Sequence, residues 1–581
     1  MTIQGAAAAT TTTTRAATTT RARSNRDAPF ATSAHRPGGS SGASWKTTVL
    51  RHLGTRRFAR ASRRGAMDLS AGGVPPGATA LHALAAANPA YPNLAAMDLA
   101  EESSPALRVL FAAGGTGGHV FPAIAIADAL RRMSDEGSLP AAATARIDFA
   151  GTDHHQEATH VPAAGYALHR VPAIALARPL LSWRNVLVPF KLAYAVARSI
   201  ALITRLAPDV VVGTGGYVSL PTCLAAKLCG VPLVIQEQNA YPGVANRILA
   251  KLASLVCVAF AKAAEAFRIP ISHDGTLGTP GGTRGGVPCV VRGNPIRAPL
   301  RWTKRTDARR TLSWMFYRKG CAETPKIQDT DRVLVVFGGS MGCETLNDAM
   351  ADAVGGMLER DPHLWVVWQT GRGGYERVRS RVPSHPRLAV RSFINDVENC
   401  YAAADLCVAR AGAVTCSELL ACGLPSVLIP SPVVTEDHQS FNAKEMADFG
   451  AAVEIRDCDL APKDPKTSVQ PGEPAPRRTV RLDYVIGELL YDPEVLAGMR
   501  EACLEAAAPE AAEAIANDVV SVALAARRRA RERRDARRGV DPAAMAARVG
   551  AYQAREAERM SQFQELVGGF GGERIHIPER R

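Results

Sequence analysis

The sequence predicts an α/β protein with two Rossmann-like, doubly wound domains that face each other across a cleft. Short apolar runs alternate with longer helical stretches from Leu107 to about Arg297, and the alternation repeats from Arg332 to about Asp457. Short apolar runs followed by turns are typical of buried strands, and strand–helix alternation builds parallel sheets with helices on both faces. Two such halves place a ligand cleft at the carboxyl ends of their strands.

Four buried strands are expected in each half. They are Leu107–Ala112, Ile147–Ala150, Val210–Val212 and Leu233–Gln236, then Val333–Phe337, Leu364–Trp368, Leu406–Ala409 and Ser426–Ile429. A helix is predicted from Pro122 to about Arg132, because proline suits a first helical turn. The predicted organisation is a lead over 1–104, a first domain over 105–298, a linker or insertion over 299–331, a second domain over 332–524 with an insertion at 459–478, and a basic helical extension over 525–581.

Composition excludes wholesale disorder and argues against a basic nucleic-acid domain. Of the 581 residues, 47% are apolar, which is enough to fill sizeable cores. The net charge of +14 is uneven: residues 1–67 hold 12 Lys or Arg and one acid, so the other 514 residues carry only +3. No nucleic-acid partner is therefore expected.

The first 67 residues are typical of an organelle transit peptide. They are rich in Ala, Thr, Ser and Arg, poor in acids, and lack the compact apolar core of a secretory signal. The alternative is a merely disordered basic tail. The 12 cysteines begin at Cys223 and form no CxxC pair, so structural thiols are expected rather than a zinc site or a disulfide framework.

Glycine-rich or polar turns follow several predicted strands. They are Gly114–His119, Gly213–Tyr217, Glu237–Asn239 and Gly338–Gly342. Glycine lets a backbone approach a ligand closely, and a helix start offers free N–H groups to anionic oxygens. One such loop is often only a tight turn, and the spacing is not the dinucleotide pattern, so a nicotinamide enzyme is disfavoured. Four strand ends converging on one cleft edge favour a phosphate-bearing ligand.

A further motif, Arg410–Glu418, follows another strand and enters a helix. A carboxylate near a helix start has two interpretations. It is either stabilised by the positive end of the helix dipole, or its two oxygens bind the vicinal hydroxyls of a ribose. Glu436–Gln439, followed by Asn442, then supplies imidazole and amide groups suited to sugar hydroxyls.

Together these motifs resemble the MurG family. The set GGTGGH, GTGGY, EQN, GNPIR, GGSMG, RAGAVTCSE and DHQ-x-x-NA occurs in this order over about residues 107–455. The resemblance implies a GT-B fold with an acceptor-binding first half and a donor-binding second half. It also implies inverting transfer of N-acetylglucosamine from UDP-GlcNAc to the muramoyl pentapeptide of a polyprenyl diphosphate, the lipid I to lipid II step. The sequence departs from the family at Pro430–Pro432, where an aromatic residue is usual.

Carried over residue by residue, the resemblance implies one catalytic candidate and a substrate-binding set. The set is Thr116, Gly117, Gly118, Asn239, Arg297, Ser340, Ile394, Ala413, Val414, Thr415, Cys416, Ser417, Glu418 and Gln439. Within it, Ser340 is implied to hold donor phosphate, Ile394 to meet uracil through its backbone, and Glu418 to take the ribose. His119 is the candidate general base because imidazole titrates near neutral pH, the alternative being that it only positions a phosphate.

No cofactor and no metal are expected. The two Asp-x-Asp pairs near the donor half, at 329–331 and 457–459, border irregular insertions and are interpreted as solvated loop carboxylates. Helix starts and backbone N–H groups can neutralise a leaving UDP instead.

A stretch without acids suggests a surface that faces a membrane. No acidic residue lies between Glu157 and Asp209, and cations recur every seven positions at Arg184, Lys191, Arg198 and Arg205. Seven residues are almost two helical turns, so the cations form one stripe on an apolar helix, which favours peripheral docking. The alternative is that the apolar residues pack the core while the cations face water.

Other functions remain open from the motifs. A galactolipid (monogalactosyldiacylglycerol) synthase-like transferase resembles the donor half, but its acceptor half is not expected to carry GGTGGH, GTGGY and EQN. A UDP-GlcNAc 2-epimerase needs no lipid acceptor and leaves the basic apolar stretch unexplained, and a non-catalytic nucleotide-sugar binder is the third alternative. The transit-like lead predicts a chloroplast (plastid) enzyme, peripheral on the stromal face of the inner envelope membrane.

Overall fold

The computed structural model describes most of the chain beyond the lead. The described residues are 106–139, 144–174, 183–267, 287–296, 300, 303–317, 325–339, 341–460, 480–537, 551, 555 and 558. Arg297, Ser340 and the side chain of Arg184, all predicted to be functional, lie outside this description. So do the lead and most of the insertion at 459–478.

The first lobe is built on a seven-stranded parallel sheet in the order β3-β2-β1-β4-β5-β6-β7. Its strands are β1 Leu107–Ala112, β2 Ala145–Gly151, β3 Ala167–Arg170, β4 Val210–Gly213, β5 Leu233–Glu237, β6 Leu255–Val258 and β7 Cys289–Val291. Its helices are α1 Gly117–Asp135, α2 Gln156–Ala163, α3 Val188–Leu206, α4 Gly216–Leu228, α5 Val244–Ala250 and α6 Ala261–Phe267.

The second lobe repeats this plan with a six-stranded parallel sheet in the order β10-β9-β8-β11-β12-β13. Its strands are β8 Arg332–Phe337, β9 Leu364–Gln369, β10 Leu388–Arg391, β11 Leu406–Ala409, β12 Ser426–Leu428 and β13 Ala452–Glu454. The remaining helices are α7 Arg305–Ser313, α8 Glu344–Arg360, α9 Tyr375–Arg381, α10 Val397–Ala403, α11 Ala413–Ala421, α12 His438–Asp448, α13 Leu482–Leu490, α14 Pro493–Ala506 and α15 Ala511–Arg537.

Helices on both faces explain why the strands are apolar without alternation. In β1, Leu107, Val109 and Phe111 pack into the core beneath α1, while Leu110 and Ala112 pack into the core beneath α3 and α4. A strand buried on both faces must be apolar at successive positions. The predicted fold of two doubly wound lobes is confirmed.

Each sheet reverses its strand order at one point, between β1 and β4 in the first lobe and between β8 and β11 in the second. Loops that leave neighbouring strands on opposite faces of a sheet open a crevice at such a point. The glycine turns Gly114–His119 and Gly213–Tyr217 flank the first reversal, and Gly338–Gly342 and Arg410–Glu418 flank the second.

The last helix, α15, returns to the first lobe. Ile515, Val519 and Ala523 lie in the hydrophobic core beside α1, although the sequence assigned residues up to 524 to the second domain. Asp518 is 1% exposed and bonds Arg292, which follows β7, with Nε–Oδ2 and Nη2–Oδ1 distances of 2.8 and 3.0 Å. The chain thus crosses between the lobes a second time.

Two sequence expectations about the linker were wrong. Residues 299–331 were expected to be a linker or insertion, but within them α7 packs on α10, and Ala308, Leu312 and Phe316 enter the core of the second lobe. Asp331 was expected to be a solvated carboxylate, but it is 8% exposed and accepts a hydrogen bond from Trp365 Nε1 at 2.9 Å. Helix α7 is amphipathic, which its many charges concealed.

Candidate active site

The two glycine turns of the first lobe lie against each other. Gly216 has a φ of +77°, and a Cβ there would lie 2.8 Å from the Gly114 carbonyl oxygen. A Cβ on Gly215 would lie 3.2 Å from the His119 ring. A side chain at Gly216 is therefore opposed by a backbone contact as well as by conformation, and one at Gly215 is opposed chiefly by its φ of +97°.

The first glycine turn leads directly into α1, which begins at Gly117 and not at Pro122 as predicted. Thr116 precedes the helix, and its carbonyl accepts the N–H groups of His119 and Val120 at 3.1 and 3.2 Å. The N–H groups of the first helical residues have no carbonyl one turn earlier, so those of Gly117 and Gly118 have no partner within the helix, and Thr116 does not cap them with its side chain. This is suitable for phosphate oxygens.

A buried carboxylate that the sequence analysis missed supports this loop. Glu157, at the start of α2, is 0% exposed and accepts hydrogen bonds from Gly115 N at 2.9 Å and Thr152 N at 3.1 Å. Burial favours the neutral acid, but the hydrogen bonds from Thr152 and Gly115 outweigh it and hold the pKa of Glu157 below its ordinary value. In the sequence, only the position of Glu157 shortly after the end of β2 could have indicated a role at the site.

The environment of His119 fixes the tautomer of its ring. Nδ1 lies 3.1 Å from both Thr214 O and Gln238 Oε1, and Thr214 Oγ1 donates to the His119 carbonyl at 2.8 Å. Both neighbours of Nδ1 accept hydrogen bonds, so Nδ1 carries the proton and the neutral ring keeps its lone pair on Nε2. Burial lowers the pKa of His119 below 6.5 despite the nearby Glu237 carboxylate.

Asn239 is held by the carboxylate of Glu237. Glu237 is 1% exposed, and its Oε1 accepts hydrogen bonds from Asn239 N at 2.9 Å and from Asn239 Nδ2 at 3.1 Å. Its Oε2 accepts from Asn246 Nδ2 at 2.9 Å. The EQN motif therefore contributes a scaffold as well as the predicted Asn239.

Two buried asparagines connect the lobes. Asn442 was expected to face sugar hydroxyls, and Asn294 belongs to the motif GNPIR without an expected role of its own. Asn442, in α12, accepts from Ala240 N at 2.8 Å and donates to Asn239 Oδ1 at 3.2 Å. Asn294, after β7, donates to Ser417 Oγ in α11 at 2.9 Å. Helices α1 and α11 also contact each other. The two switch points therefore share one crevice.

The second lobe presents the start of α11 to this crevice. Gly412 precedes the helix and offers no side chain to cap it, so the N–H groups of Ala413, Val414 and Thr415 are open to an anion. Cys416 N donates to Gly412 O at 2.9 Å.

The side chains of the predicted set in α11 differ in exposure. Val414, Thr415 and Ser417 are partly exposed, and Glu418 is buried at 4% exposure. Cys416 is 0% exposed, and burial raises the pKa of its thiol to about 12. Its side chain belongs to the core, so only its backbone faces a ligand.

Other predicted donor-side residues already have partners. Ile394 N donates to Gln369 Oε1 at 2.8 Å, so a base recognised at Ile394 must use the carbonyl or displace Gln369. Gln439 Oε1 accepts from Ser431 N at 2.9 Å, which leaves its amide NH₂ as the donor end. Gly342, with a φ of +95°, closes the turn after β8 against Thr370 O, which a Cβ there would approach to 2.6 Å.

The second Asp-x-Asp pair is only partly a solvated loop. Asp457 accepts from Thr345 Oγ1 at 2.9 Å and pairs with Arg410 at 2.6 Å, with 15% of its side chain exposed. Arg410 also donates to Pro430 O at 2.8 Å. Asp457 thus anchors the motif that begins at Arg410, which corrects the expectation for this carboxylate.

Within the described ranges, no three His, Cys, Asp or Glu side chains converge to hold a metal ion. Every cysteine there is a free thiol.

The predicted basic stripe lies partly on an exposed face of α3. Ala195, Ser199 and Leu202 face inwards. Lys191, Arg198 and Arg205 are exposed, and Arg205 also contacts His169 at 3.3 Å. Large apolar side chains share or adjoin this face: Trp183, Val186, Leu187, Phe190 and Tyr194, from 56% to 78% exposed. No helix in the described part of the chain is long and apolar enough to cross a bilayer.

Two parallel doubly wound sheets, with glycine turns and open helix starts where the lobes meet, have the architecture of the GT-B fold, and the matched families are glycosyltransferases. Residues 109–258 match the glycosyltransferase family 28 N-terminal domain, and residues 333–472 match the family 28 C-terminal domain. The chain belongs to the MurG family of these N-acetylglucosaminyltransferases.

Individual relatives support this assignment. The chain is 41% identical to the UDP-N-acetylglucosamine–N-acetylmuramyl-(pentapeptide) pyrophosphoryl-undecaprenol N-acetylglucosamine transferase of Salinibacter ruber, over 72% of this chain and 98% of the relative. It is 36% identical to the enzyme of the same name from Porphyromonas gingivalis, over 73% and 97%. The crystal structure of Acinetobacter baumannii MurG superposes with a TM-score of 0.50 at 24% identity, covering 71% of this chain and 99% of that one, which supports the fold.

Proposed function

We propose that this enzyme transfers N-acetylglucosamine from UDP-GlcNAc to the muramoyl pentapeptide of a polyprenyl diphosphate, with inversion at the anomeric carbon. One observation carries the proposal. His119 near the start of α1 and the open N–H groups of α11 lie where the two lobes meet, since α1 contacts α11 and Asn294 Nδ2 donates to Ser417 Oγ at 2.9 Å. A base and an anion site so arranged suit attack by a hydroxyl on a sugar nucleotide.

The geometry suggests how the residues divide the reaction. His119 Nε2 accepts the proton of the acceptor hydroxyl as that oxygen forms its bond to the anomeric carbon. The bond from this carbon to the diphosphate breaks, and the charge released on UDP is met by the backbone N–H groups that begin α11. Gly117 and Gly118 present N–H groups to the diphosphate of the acceptor. Glu418 and Gln439 are assigned to the ribose and the transferred sugar.

Radiolabelled UDP-GlcNAc with a short-chain lipid acceptor tests the reaction. Label recovered in the lipid, lost in His119→Gln, supports the proposal. Free epimerised sugar nucleotide without acceptor supports a 2-epimerase instead, and binding without turnover supports a non-catalytic binder. Either of these two outcomes contradicts the transferase.

Catalysis without a divalent ion is a separate proposal. The described residues offer N–H groups rather than a carboxylate cluster for the diphosphate. We expect chelation of divalent ions to leave turnover on a soluble acceptor unchanged, and loss of turnover would contradict this.

The exposed face of α3 is proposed to dock peripherally on an anionic membrane. Phe190 and Tyr194, 72% and 59% exposed, sit beside Lys191 and Arg198 on one helical face. Apolar side chains enter the headgroup region while cations pair with anionic lipid, so the combination favours an interface. The lipid-bearing acceptor lies in such a surface.

Sedimentation with anionic liposomes tests this docking. We expect Lys191→Glu with Arg198→Glu to reduce the bound fraction and to leave activity on a water-soluble acceptor unchanged. Lys227→Glu with Lys251→Glu is the control, because these cations are exposed elsewhere on the lobe. Equal sedimentation of both double variants and the wild type would refute the surface.

The compartment is proposed to be the plastid, on the stromal face of the inner envelope. The support is the Arg-, Ser- and Thr-rich, acid-poor lead over residues 1–67. Imaging a fluorescent fusion of residues 1–105 tests it, and cytosolic fluorescence would contradict it.

A further inference from the structure

Three buried side-chain amides run from His119 in the first lobe to α11 in the second. Gln238 Oε1 lies 3.1 Å from His119 Nδ1, and Gln238 Nε2 donates to Gln236 Oε1. Gln236 Nε2 donates to Asn294 Oδ1 at 3.0 Å, and Asn294 Nδ2 donates to Ser417 Oγ at 2.9 Å. Gln236, Gln238 and Asn294 are 0%, 1% and 2% exposed.

Backbone carbonyls fix the direction of this chain. Gln238 Nε2 also donates to Thr214 O at 2.7 Å, and Asn294 Nδ2 to Gln238 O at 2.9 Å. Turning either amide over would set its oxygen against a carbonyl oxygen, which is repulsive. The side-chain amide of Gln236 lies between the Nε2–H of Gln238 and the Oδ1 of Asn294, so these two neighbours fix which end accepts and which end donates. Every link therefore accepts on the side of His119 and donates towards α11.

We propose that this amide relay, Gln238–Gln236–Asn294, positions His119 as the Nδ1–H tautomer and couples it to the first turns of α11. Ser417 Oγ in turn donates to Ala413 O at 3.1 Å, and Asn294 Nδ2 also reaches that carbonyl at 3.4 Å. Hydrogen bonds in a buried chain polarise one another, so a change at one end is felt at the other. Binding of the donor at the start of α11 strengthens the hydrogen bond between His119 Nδ1 and Gln238 Oε1 before the acceptor reacts.

The inference rests on the proposed function, since it assigns His119 as the base and α11 as the donor site. The three amides are positioning residues, because they act through His119. Gln236 is the most informative, because it bonds neither His119 nor α11, so an effect of its replacement on both ends must pass through the relay.

Nitrogen-15 NMR of the histidine rings of the full-length enzyme, with His119 assigned from the His119→Gln spectrum, tests the tautomer. The wild type is expected to show Nδ1–H and bare Nε2 at His119, and added UDP is expected to shift these resonances. In Gln236→Leu, the ring is expected to populate both tautomers, and UDP is expected to leave its resonances in place. Turnover should fall about tenfold or more, with the KM for UDP-GlcNAc changed less than about threefold.

Asn442→Leu is the matched control. Asn442 is a fully buried amide that also joins the lobes, bonding Ala240 N, Ala411 O and Asn239 Oδ1, and none of these three bonds involves a member of the relay. Its loss should leave the His119 tautomer and the UDP response as in the wild type. If Gln236→Leu does not fold by circular dichroism, Ser417→Ala should weaken the UDP response in the same direction, because it removes the last acceptor of the relay together with the hydrogen bond to Ala413 O.

The outcomes separate the relay from the reaction. If the wild type binds UDP by calorimetry and transfers sugar while the His119 resonances ignore UDP, the relay is refuted and the transferase stands. Identical spectra for Gln236→Leu and Asn442→Leu refute it as well. If the wild type neither binds UDP nor transfers sugar, both proposals fail.

Discussion

At His119, burial and hydrogen bonding act on the same imidazole in different ways. Burial disfavours the charged ring, while the oxygens of Thr214 and Gln238 hold the proton on Nδ1. The charged or titratable groups that bear on its pKa are Glu237, which raises it, and His438 across the crevice, which lowers it. The net effect is a neutral ring whose Nε2 can accept a proton at neutral pH.

The pH dependence of kcat/KM follows from the lowered pKa of His119. A base whose pKa is lowered becomes active at lower pH, so kcat/KM should rise through a pKa below 6.5 and then level off. His119→Gln should remove this rise and reduce kcat by about 10²- to 10⁴-fold. An unchanged acidic limb in His119→Gln, measured over pH 5–8, would show that another group is the base.

Glu157→Gln tests the support beneath the first glycine turn. An amide presents one acceptor oxygen where the carboxylate presents two, so a buried N–H loses its partner and the free energy of unfolding should fall by about 1–3 kcal/mol. Because the pKa of Glu157 is lowered in the fold, its stabilisation is present above its ordinary value of 4.5 and is lost as pH falls through the lowered value. Urea unfolding at pH 7 and pH 4 measures both effects. Glu265→Gln, at an exposed carboxylate of the same lobe, should change little.

At the scale of the element, strand ends and helix starts make the crevice. Helix α1 begins at Gly117, and α11 begins directly after Gly412. Neither start has a capping side chain, so the first backbone N–H groups of both helices stay available to a ligand. The sequence located both turns but misplaced the start of α1, because Pro122 lies within the helix and not at its first position. Proline there only removes the hydrogen bond to Gly118.

Gly216→Ala tests the contact between the two glycine turns. A φ of +77° is strained for alanine, and the new Cβ would meet Gly114 O at 2.8 Å, so the turns must separate. We expect a loss of about 1–3 kcal/mol in the free energy of unfolding and at least about a hundredfold loss of kcat, as reacting groups shift. Gly355→Ala, in the middle of α8 with no neighbour within 4 Å of the new methyl, should instead stabilise the protein by up to about 1 kcal/mol. Wild-type turnover in Gly216→Ala would contradict the role of this contact.

At the scale of the whole molecule, the lobes are joined by polar contacts and by α15. Asn294 and Asn442 bridge the crevice with side-chain amides, and α15 carries the chain from α14 of the second lobe back to the first. The buried pair of Asp518 with Arg292 fixes α15 on the first sheet. Apolar packing joins the lobes as well, because Ala240, Phe260 and Ile296 of the first lobe lie in the core of the second.

Asp518→Ala should destabilise the first lobe. Removing one partner leaves the Arg292 charge partly buried without its carboxylate, which costs about 3–5 kcal/mol in comparable cases. Arg132→Gln is the comparison, because it removes a half-exposed ion pair between α1 and Glu513, which lies on α15 as Asp518 does. This substitution should lower the free energy of unfolding by less than about 1 kcal/mol. Thermal unfolding followed by circular dichroism compares them, and equal midpoints would refute the importance of the buried pair.

The sequence by itself determined the two parallel sheets, the glycine turns and the family, because these depend on local patterns: apolar runs such as Val333–Phe337 and glycines directly after strands. The tertiary structure decided which partners distant residues find. Glu157 beneath Gly115, Asn294 against Ser417, α7 in the second core and α15 in the first each join segments far apart in the chain. Local periodicity in the sequence predicts whether a residue is buried. The partner of a buried polar group depends on how the helices and strands pack, which local periodicity does not contain.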